Sequence, residues 1–142
     1  MPRPAISPNS LLAALPAAVY TKLIPKFEGF DLDFAKIVYD RGDTYSHVYF
    51  IESGIVSLLV AAEEHSTIEV GMVGREGMVG LPVFLGVKVS KNRAVVQGTG
   101  RALRMKASEF ESECLAGADL SRIMRLFTYS KLMQVARSAV CN

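Results

Sequence analysis

The sequence has few residues of the kinds that build metal centres or disulfide frameworks. It contains two cysteines, Cys114 and Cys141, and two histidines, His47 and His65. The cysteines lack the spacing of a metal site, and neither histidine has a cysteine or carboxylate at ligand spacing on a common helix. An iron–sulfur cluster needs about four thiolates. We therefore predict no metal cofactor, and cysteines that stay reduced.

Charge of one sign and long apolar segments are also missing. The 16 basic side chains are balanced by 14 acidic ones, which leaves a formal net charge of +2 without a run of like charges. Such a chain neutralises few phosphates, so we expect no specific DNA binding by this chain alone. No segment approaches the ~18 consecutive apolar residues of a membrane span, and the proline-rich residues 1–8 do not form an ordinary secretory signal. The sequence therefore predicts a cytoplasmic protein that does not enter a membrane.

The residue combinations of common catalytic sites are absent as well. No Ser-His-Asp, Cys-His or paired-carboxylate arrangement occurs at a recognisable spacing. Arg75 and Glu76 are interpreted as a solvated pair rather than as a catalytic base and acid. A cupin-like enzyme would need a cluster of histidines and carboxylates on facing strands, and the two histidines are distant from each other. We predict that the protein is not an enzyme.

The residues that are present favour one compact domain over 1–142. Half of them are hydrophobic, which is enough for a core in a chain of this length. Short N-terminal helices are predicted over 10–27. Asn9 or Ser10 caps the first, and prolines bound the second, which Pro16 opens and Pro25 ends.

A different pattern follows from residue 31 to residue 106. Short segments rich in Val, Ile, Tyr and Phe alternate there with turn signals about every ten residues. The turn signals lie at 41–43, 53–54, 63–66, 86 and 98–100. This pattern is typical of an antiparallel sandwich or jelly roll. We predict a mainly β domain whose β-roll, 31–106, is flanked by the N-terminal helices and by C-terminal helices over 107–141.

The C-terminal region has a helical period. A short acidic helix is predicted over 108–117, and a long one from Asp119 to Val140. One apolar stripe is assigned to the barrel: Leu120, Ile123 and Phe127. A second repeats at three and four residues as in a coiled-coil seam: Leu126, Tyr129, Met133, Ala136 and Val140. We predict a homodimer through this seam; the simpler alternative is a helix packed wholly on its own domain.

The stretch from Ile68 to Val96 is rich in glycine. A strand-like alternation runs into glycines at 71, 74, 77, 80 and 86, and Arg93 opens a second strand. Glycines at this density let the backbone approach a ligand closely, and exposed N–H groups there can hold an anion. The pattern indicates a binding site, to which Arg93 would contribute its charge if it faces inward. The alternative is an arginine on the outer surface of the strand.

This stretch, with the paired segments 39–43 and 47–58, resembles the phosphate-binding cassette of cyclic-nucleotide-binding domains. The whole chain resembles the sensor half of regulators of the cyclic-AMP receptor protein class (CRP/FNR). The resemblance implies a double-stranded β-helix jelly roll and a long dimerisation helix. It also implies that DNA is contacted only through a helix-turn-helix domain, which is absent from this chain. The ligand-binding positions it implies are Gly80, Leu81, Pro82, Asn92, Arg93 and Ala94.

The sequence departs from the family at the two groups that hold a cyclic nucleotide. Leu81 stands where the family has the glutamate that accepts a hydrogen bond from the ribose. Alignment on Ala94 puts Asn92 at the position of the phosphate-binding arginine and Arg93 one residue late, and one residue on a strand reverses the facing of a side chain. We therefore expect cyclic AMP to be an unlikely ligand. The effector is unidentified: another anion, an apolar molecule or none. The alternative function is a ligand-independent jelly-roll protein that dimerises or docks a partner.

Overall fold

The computed structural model describes residues 6–62 and 66–141, with helices at both ends of a β-roll. The N-terminal elements are α1 (Ser10–Ala13), α2 (Ala17–Leu23) and a 3-10 turn (Ile24–Lys26). The strands are β1 (Glu28–Leu32), β2 (Ile37–Tyr39), β3 (His47–Ala61), β4 (Thr67–Val73), β5 (Met78–Val79) and β6 (Arg93–Lys106), with α3 (Leu81–Phe84) between the last two. The chain continues with α4 (Ala107–Ala116) and α5 (Ala118–Cys141). The predicted mainly β fold class is confirmed.

The long strands β3 and β6 form the centre of the sheet. They pair antiparallel along most of their length, from His47 opposite Lys106 to Leu59 opposite Arg93. The remaining strands pair with one of these two, so that the order is β1-β6-β3-β4, with β2 on β6 and β5 on β3. Every pairing is antiparallel. The β4–β5 segment therefore returns to β3 close to the start of α3, where the glycine-rich stretch lies.

The turns predicted at 53–54 and 98–100 are wrong. β3 and β6 continue as strands across these positions, and the pairing between them shifts register there. Gly54 has a φ of +87°, and a Cβ on Gly100 would lie 2.1 Å from the carbonyl oxygen of Ser53. Glycine is required here because two bent strands come into close contact, and not because the chain reverses.

Other boundaries differ by a few residues. The roll begins at Glu28 instead of residue 31, because β1 pairs with β6 from Glu28 onwards. α2 ends before Pro25, and Pro25 lies in the first positions of the following 3-10 turn, where no N–H is needed. Residues 63–65 of the predicted turn at 63–66 lie outside the described residues.

The two stripes of α5 differ in burial. Leu120, Ile123 and Phe127 are each less than 10% exposed and belong to the core, so the assignment of this stripe to the barrel is confirmed. The second stripe is open, with Leu126 57%, Met133 43% and Val140 86% exposed. The helix therefore uses its first turns to close the roll and leaves an apolar strip uncovered in the single chain.

Candidate functional site

A cavity of about 630 Å³ lies between the β-roll and the C-terminal half of α5. This volume is in the range of sites for small organic ligands. Strands β3, β4 and β5, the start of α3 and helix α5 all contribute to its walls, which are mostly apolar. The lining residues are Tyr39, Leu58, Glu69, Val70, Gly71, Met72, Val73, Met78, Gly80, Leu81, Pro82, Asn92, Phe127, Lys131, Gln134, Val135 and Ser138.

The turn between β5 and α3 forms one rim of the cavity. Gly80 has a φ of +107°, and a Cβ there would press on Val48 at 3.1 Å. Pro82 lies in the first turn of α3, where its missing N–H costs no hydrogen bond. The Gly80 carbonyl accepts from the Val83 N–H at 3.0 Å. This fixed turn presents Leu81 and Pro82 to the cavity, so this part of the cavity surface is apolar.

Arg93 does not line the cavity. Its guanidinium binds Asp40 in a bidentate pair, with Nε 2.9 Å from Oδ1 and Nη2 3.2 Å from Oδ2. This pair and the Arg41 backbone N–H keep the pKa of Asp40 below its ordinary value. Ala94 is fully buried and also lies outside the lining. Of the six predicted ligand-binding residues, the structure brings Gly80, Leu81, Pro82 and Asn92 together at the cavity.

Two charged residues of the lining were not predicted as site residues. Glu69 of β4 accepts a hydrogen bond from the buried Ser57 hydroxyl at 2.6 Å. The Lys131 Nζ lies 3.4 Å from the Met72 carbonyl oxygen. No local pattern marks either residue, because their presence in one cavity depends on how α5 crosses the β3–β4 hairpin.

Helix α5 has one face that lines the cavity and another that is apolar and exposed. Five of its residues line the cavity: Phe127, Lys131, Gln134 and Ser138, spaced four, three and four apart, and Val135 beside them. A helix turns by about 100° per residue, so the exposed strip around Met133 lies about 200° from Lys131. The cavity and the exposed strip are therefore on opposite sides of the same helix.

The N-terminal helices reach this region through Asn9. Its Oδ1 accepts from the N–H groups of Leu11 and Leu12, which confirms it as the cap of α1. Its Nδ2 donates to the carbonyl oxygens of Ile51 at 2.7 Å and Gly77 at 2.8 Å. Gly77 in turn lies against α5, since a Cβ there would be 2.6 Å from the Phe127 ring. One buried amide thus joins α1, β3 and the loop under α5.

His47 and Cys114 do not line the cavity. His47 has its Nδ1 2.9 Å from the Ser46 hydroxyl, and burial together with the Arg104 cation lowers its pKa. Burial raises the pKa of the Cys114 thiol to about 12, so it stays protonated at neutral pH. His65 and the Cys141 side chain lie outside the described residues. Within 6–62 and 66–141, no three side chains of His, Cys, Asp or Glu come together in a way that could hold a metal ion. None of the helices in these ranges has the length and hydrophobicity of a membrane span.

Comparisons with known proteins agree on the fold. The family of cyclic nucleotide-binding domains matches residues 35–116, which is more than half of the chain. Catabolite Activator Protein from Thermus thermophilus superposes with a TM-score of 0.75 at 14% identity, over 92% of this chain and 62% of that one. The c-di-GMP responsive global regulator CLP from Xanthomonas campestris gives 0.72 at 14%, over 88% and 63%.

A third structure is similar over nearly its whole length. The N-terminal domain of a transcriptional regulator from Streptomyces coelicolor superposes with a TM-score of 0.67 at 13% identity, over 91% of this chain and 90% of that one. The chain thus spans less than two thirds of the first two proteins and nearly all of this domain. No curated protein sequence matches significantly. At these identities the structural similarity shows the jelly-roll fold and its C-terminal helix.

Proposed function

Because the chain belongs to the family of cyclic nucleotide-binding domains, we propose that it is the effector-sensing and dimerisation domain of a CRP/FNR-type transcription regulator. The observation that carries this proposal is the cavity, which is bounded on one side by the Gly80–Pro82 turn and on the other by α5. A ligand there contacts the roll and the helix at once. It can therefore favour one position of α5 over another, which is how a binding energy becomes a signal.

The similar regulators support the proposal at the level of the fold. Two are regulators that the chain spans only in part. In such a protein, DNA would be contacted by a helix-turn-helix domain outside these 142 residues. The exposed strip of α5 would pair with the same strip of a second copy, which brings two regulators together as a homodimer.

The cavity is degenerate as a cyclic-nucleotide site, and we expect cyclic AMP to bind two to four decades more weakly than to an intact cassette. A buried ribose hydroxyl facing Leu81 would lose about 1–3 kcal/mol, and the cyclic phosphate would lose a charge-assisted bond of similar size because Arg93 is held by Asp40. Each decade corresponds to about 1.4 kcal/mol. Calorimetry with cyclic AMP and cyclic GMP measures this directly.

The matched variants are Leu81→Glu, which supplies the missing acceptor, and Leu85→Glu, which places the same charge on the exposed end of α3. Leu81→Glu should raise the affinity for cyclic AMP by about tenfold, and Leu85→Glu should leave this affinity unchanged. Micromolar binding by the unmodified chain would show that the cassette works with other residues.

The effector role of the cavity is tested by filling it. Gly71 lines the cavity, and a Cβ added there meets no atom within 4 Å. Gly71→Leu should therefore occupy the cavity without disturbing the strand, whereas Thr67→Leu adds the same side chain to an exposed position of β4. The probe is N-phenyl-1-naphthylamine, an apolar dye whose fluorescence rises on binding.

We expect the unmodified chain and Thr67→Leu to bind the dye alike, and Gly71→Leu to lose at least about tenfold in affinity. Unchanged binding by Gly71→Leu would place the dye elsewhere and remove the effector role. A chain that still dimerises would then be the ligand-independent jelly-roll protein of the alternative hypothesis.

A further inference from the structure

We infer that the effector of this cavity is a largely apolar small molecule with a single acidic group, and that Lys131 of α5 binds this group. The inference rests on the proposed sensor function and gives its ligand a chemical class. It places the anion contact on the C-terminal helix, whereas the resemblance to cyclic-nucleotide-binding domains places it on a strand arginine.

The walls around Lys131 favour a largely apolar ligand over a strongly polar one. Leu58, Val70, Met72, Met78 and Leu81 supply hydrophobic surface from four different elements of the roll. Burying polar groups against such surface without partners costs free energy, whereas burying an aliphatic or aromatic skeleton releases water from both sides. Most of the ligand must therefore be apolar.

Lys131 is the one basic side chain among the described lining residues, and it has no acidic partner. Its Nζ has only long contacts, 3.4 Å to the Met72 carbonyl oxygen and 3.3 Å to Gln134 Oε1, and it lies 5.4 Å from the centre of the Phe127 ring. The four ion pairs of the described residues use Lys26, Arg93, Arg101 and Arg104. A half-buried ammonium whose contacts are all neutral can bind an anion, because the anion accepts short charge-assisted hydrogen bonds from it.

Glu69 limits the ligand to one such group. Its Oε1 is fixed by the hydroxyl of the fully buried Ser57 at 2.6 Å, and it forms no ion pair with Lys131. A carboxylate at the cavity wall repels a second acid. Molecules with two phosphates are therefore disfavoured, and a monocarboxylate, phenolate or sulfonate on an aliphatic or aromatic skeleton fits best.

The position of Lys131 also ties acid binding to the helix. It lies between Tyr129 and Met133 in sequence but on the opposite face of α5 from both. An acid held against the roll would fix this turn of α5 against β4 through the Lys131 side chain. Arg93 does not take this role in the structure, because it lies outside the cavity lining and Asp40 holds the Nε–Nη2 edge of its guanidinium.

The test uses two dyes that share one skeleton. N-phenyl-1-naphthylamine is neutral, and 8-anilinonaphthalene-1-sulfonate differs from it by one sulfonate. Both are titrated by fluorescence into the unmodified chain, Lys131→Gln, Lys131→Arg and Arg75→Gln, the last removing an exposed charge outside the cavity. Lys131→Gln should weaken the sulfonate dye by at least about tenfold and leave the neutral dye within about twofold. Lys131→Arg and Arg75→Gln should retain the affinity for both.

The cavity-filling variant separates failure of this inference from failure of the proposed function. Suppose that Gly71→Leu abolishes the binding of both dyes, but that Lys131→Gln lowers the affinity for neither dye or lowers both affinities equally. The cavity then binds ligands without selecting an acid, and only the present inference is overturned. If Gly71→Leu leaves both dyes bound, the cavity is not the site and both proposals fall.

Discussion

Replacing Asn9 with alanine is expected to lower the free energy of unfolding by about 3–5 kcal/mol, a large part of the stability of a typical domain. The side chain is fully buried and makes four hydrogen bonds. Loss of the cap costs about 1 kcal/mol. The Ile51 carbonyl then loses its side-chain donor, at about 1–3 kcal/mol if no water replaces it. The Gly77 carbonyl still accepts from the Ile51 N–H at 3.4 Å, so its loss is about 1 kcal/mol. Urea denaturation followed by circular dichroism measures the change.

Two further variants divide this loss. Asn9→Ser keeps a good capping oxygen and should recover about 1 kcal/mol, because the contacts to β3 and to Gly77 are still missing. Ser10→Ala, at the next and exposed position, should change stability by less than about 0.5 kcal/mol. An Asn9→Ala variant as stable as Ser10→Ala would mean that the amide does not hold the N-terminal helices on the roll.

Replacing Met133 with glutamate is expected to convert a dimer into a monomer. Met133 lies at the middle of the exposed strip, between Tyr129 and Ala136, so in a symmetric seam each copy meets its counterpart near this residue. Two carboxylates buried there lose hydration and repel each other, and we expect the dissociation constant to rise at least about 100-fold. Sedimentation velocity measures the shift at chain concentrations between about 1 and 100 times the dissociation constant of the unmodified chain.

Ala139→Glu is the control, since it adds the same charge to an exposed position of α5 outside the repeat. It should change the dissociation constant far less than Met133→Glu does, because a charge at the flank of the seam stays in contact with water. A chain without any substitution that sediments as a monomer at micromolar concentration would contradict the seam altogether. The exposed apolar strip of α5 would then not be a contact between two copies of the chain.

Local patterns predicted much of the fold because most elements here obey local rules. The cap at Asn9, the buried stripe of α5 and the antiparallel strands follow from residue preferences and periodicity. The two false turns arose from glycine, which serves a chain reversal and a close strand contact equally well. The two uses are distinguished only by the close contact of Gly54 with Gly98 and Gly100, which two long strands bring together.

The candidate site was less predictable, because its decisive contacts join distant parts of the chain. Arg93 lies outside the cavity lining and pairs with Asp40, which is 53 residues away and has no signal in the sequence as its partner. Lys131 looks like an ordinary solvated residue of a helix, and Glu69 like the polar position of an edge strand. Their presence in one cavity follows from the crossing of α5 over β4, which no local pattern encodes.

The two opposite faces of α5 have a thermodynamic consequence. Where one rigid helix takes part in both effector binding and dimer formation, the two equilibria share a coupling free energy that acts equally in both directions. A typical coupling would make the effector affinity of the dimer differ from that of the monomer by about 5- to 150-fold. The effector dissociation constant measured in a dilute sample would then differ from the one measured in a concentrated sample. The effector concentration at which the protein responds would then depend on the concentration of the protein as well as on the contacts in the cavity.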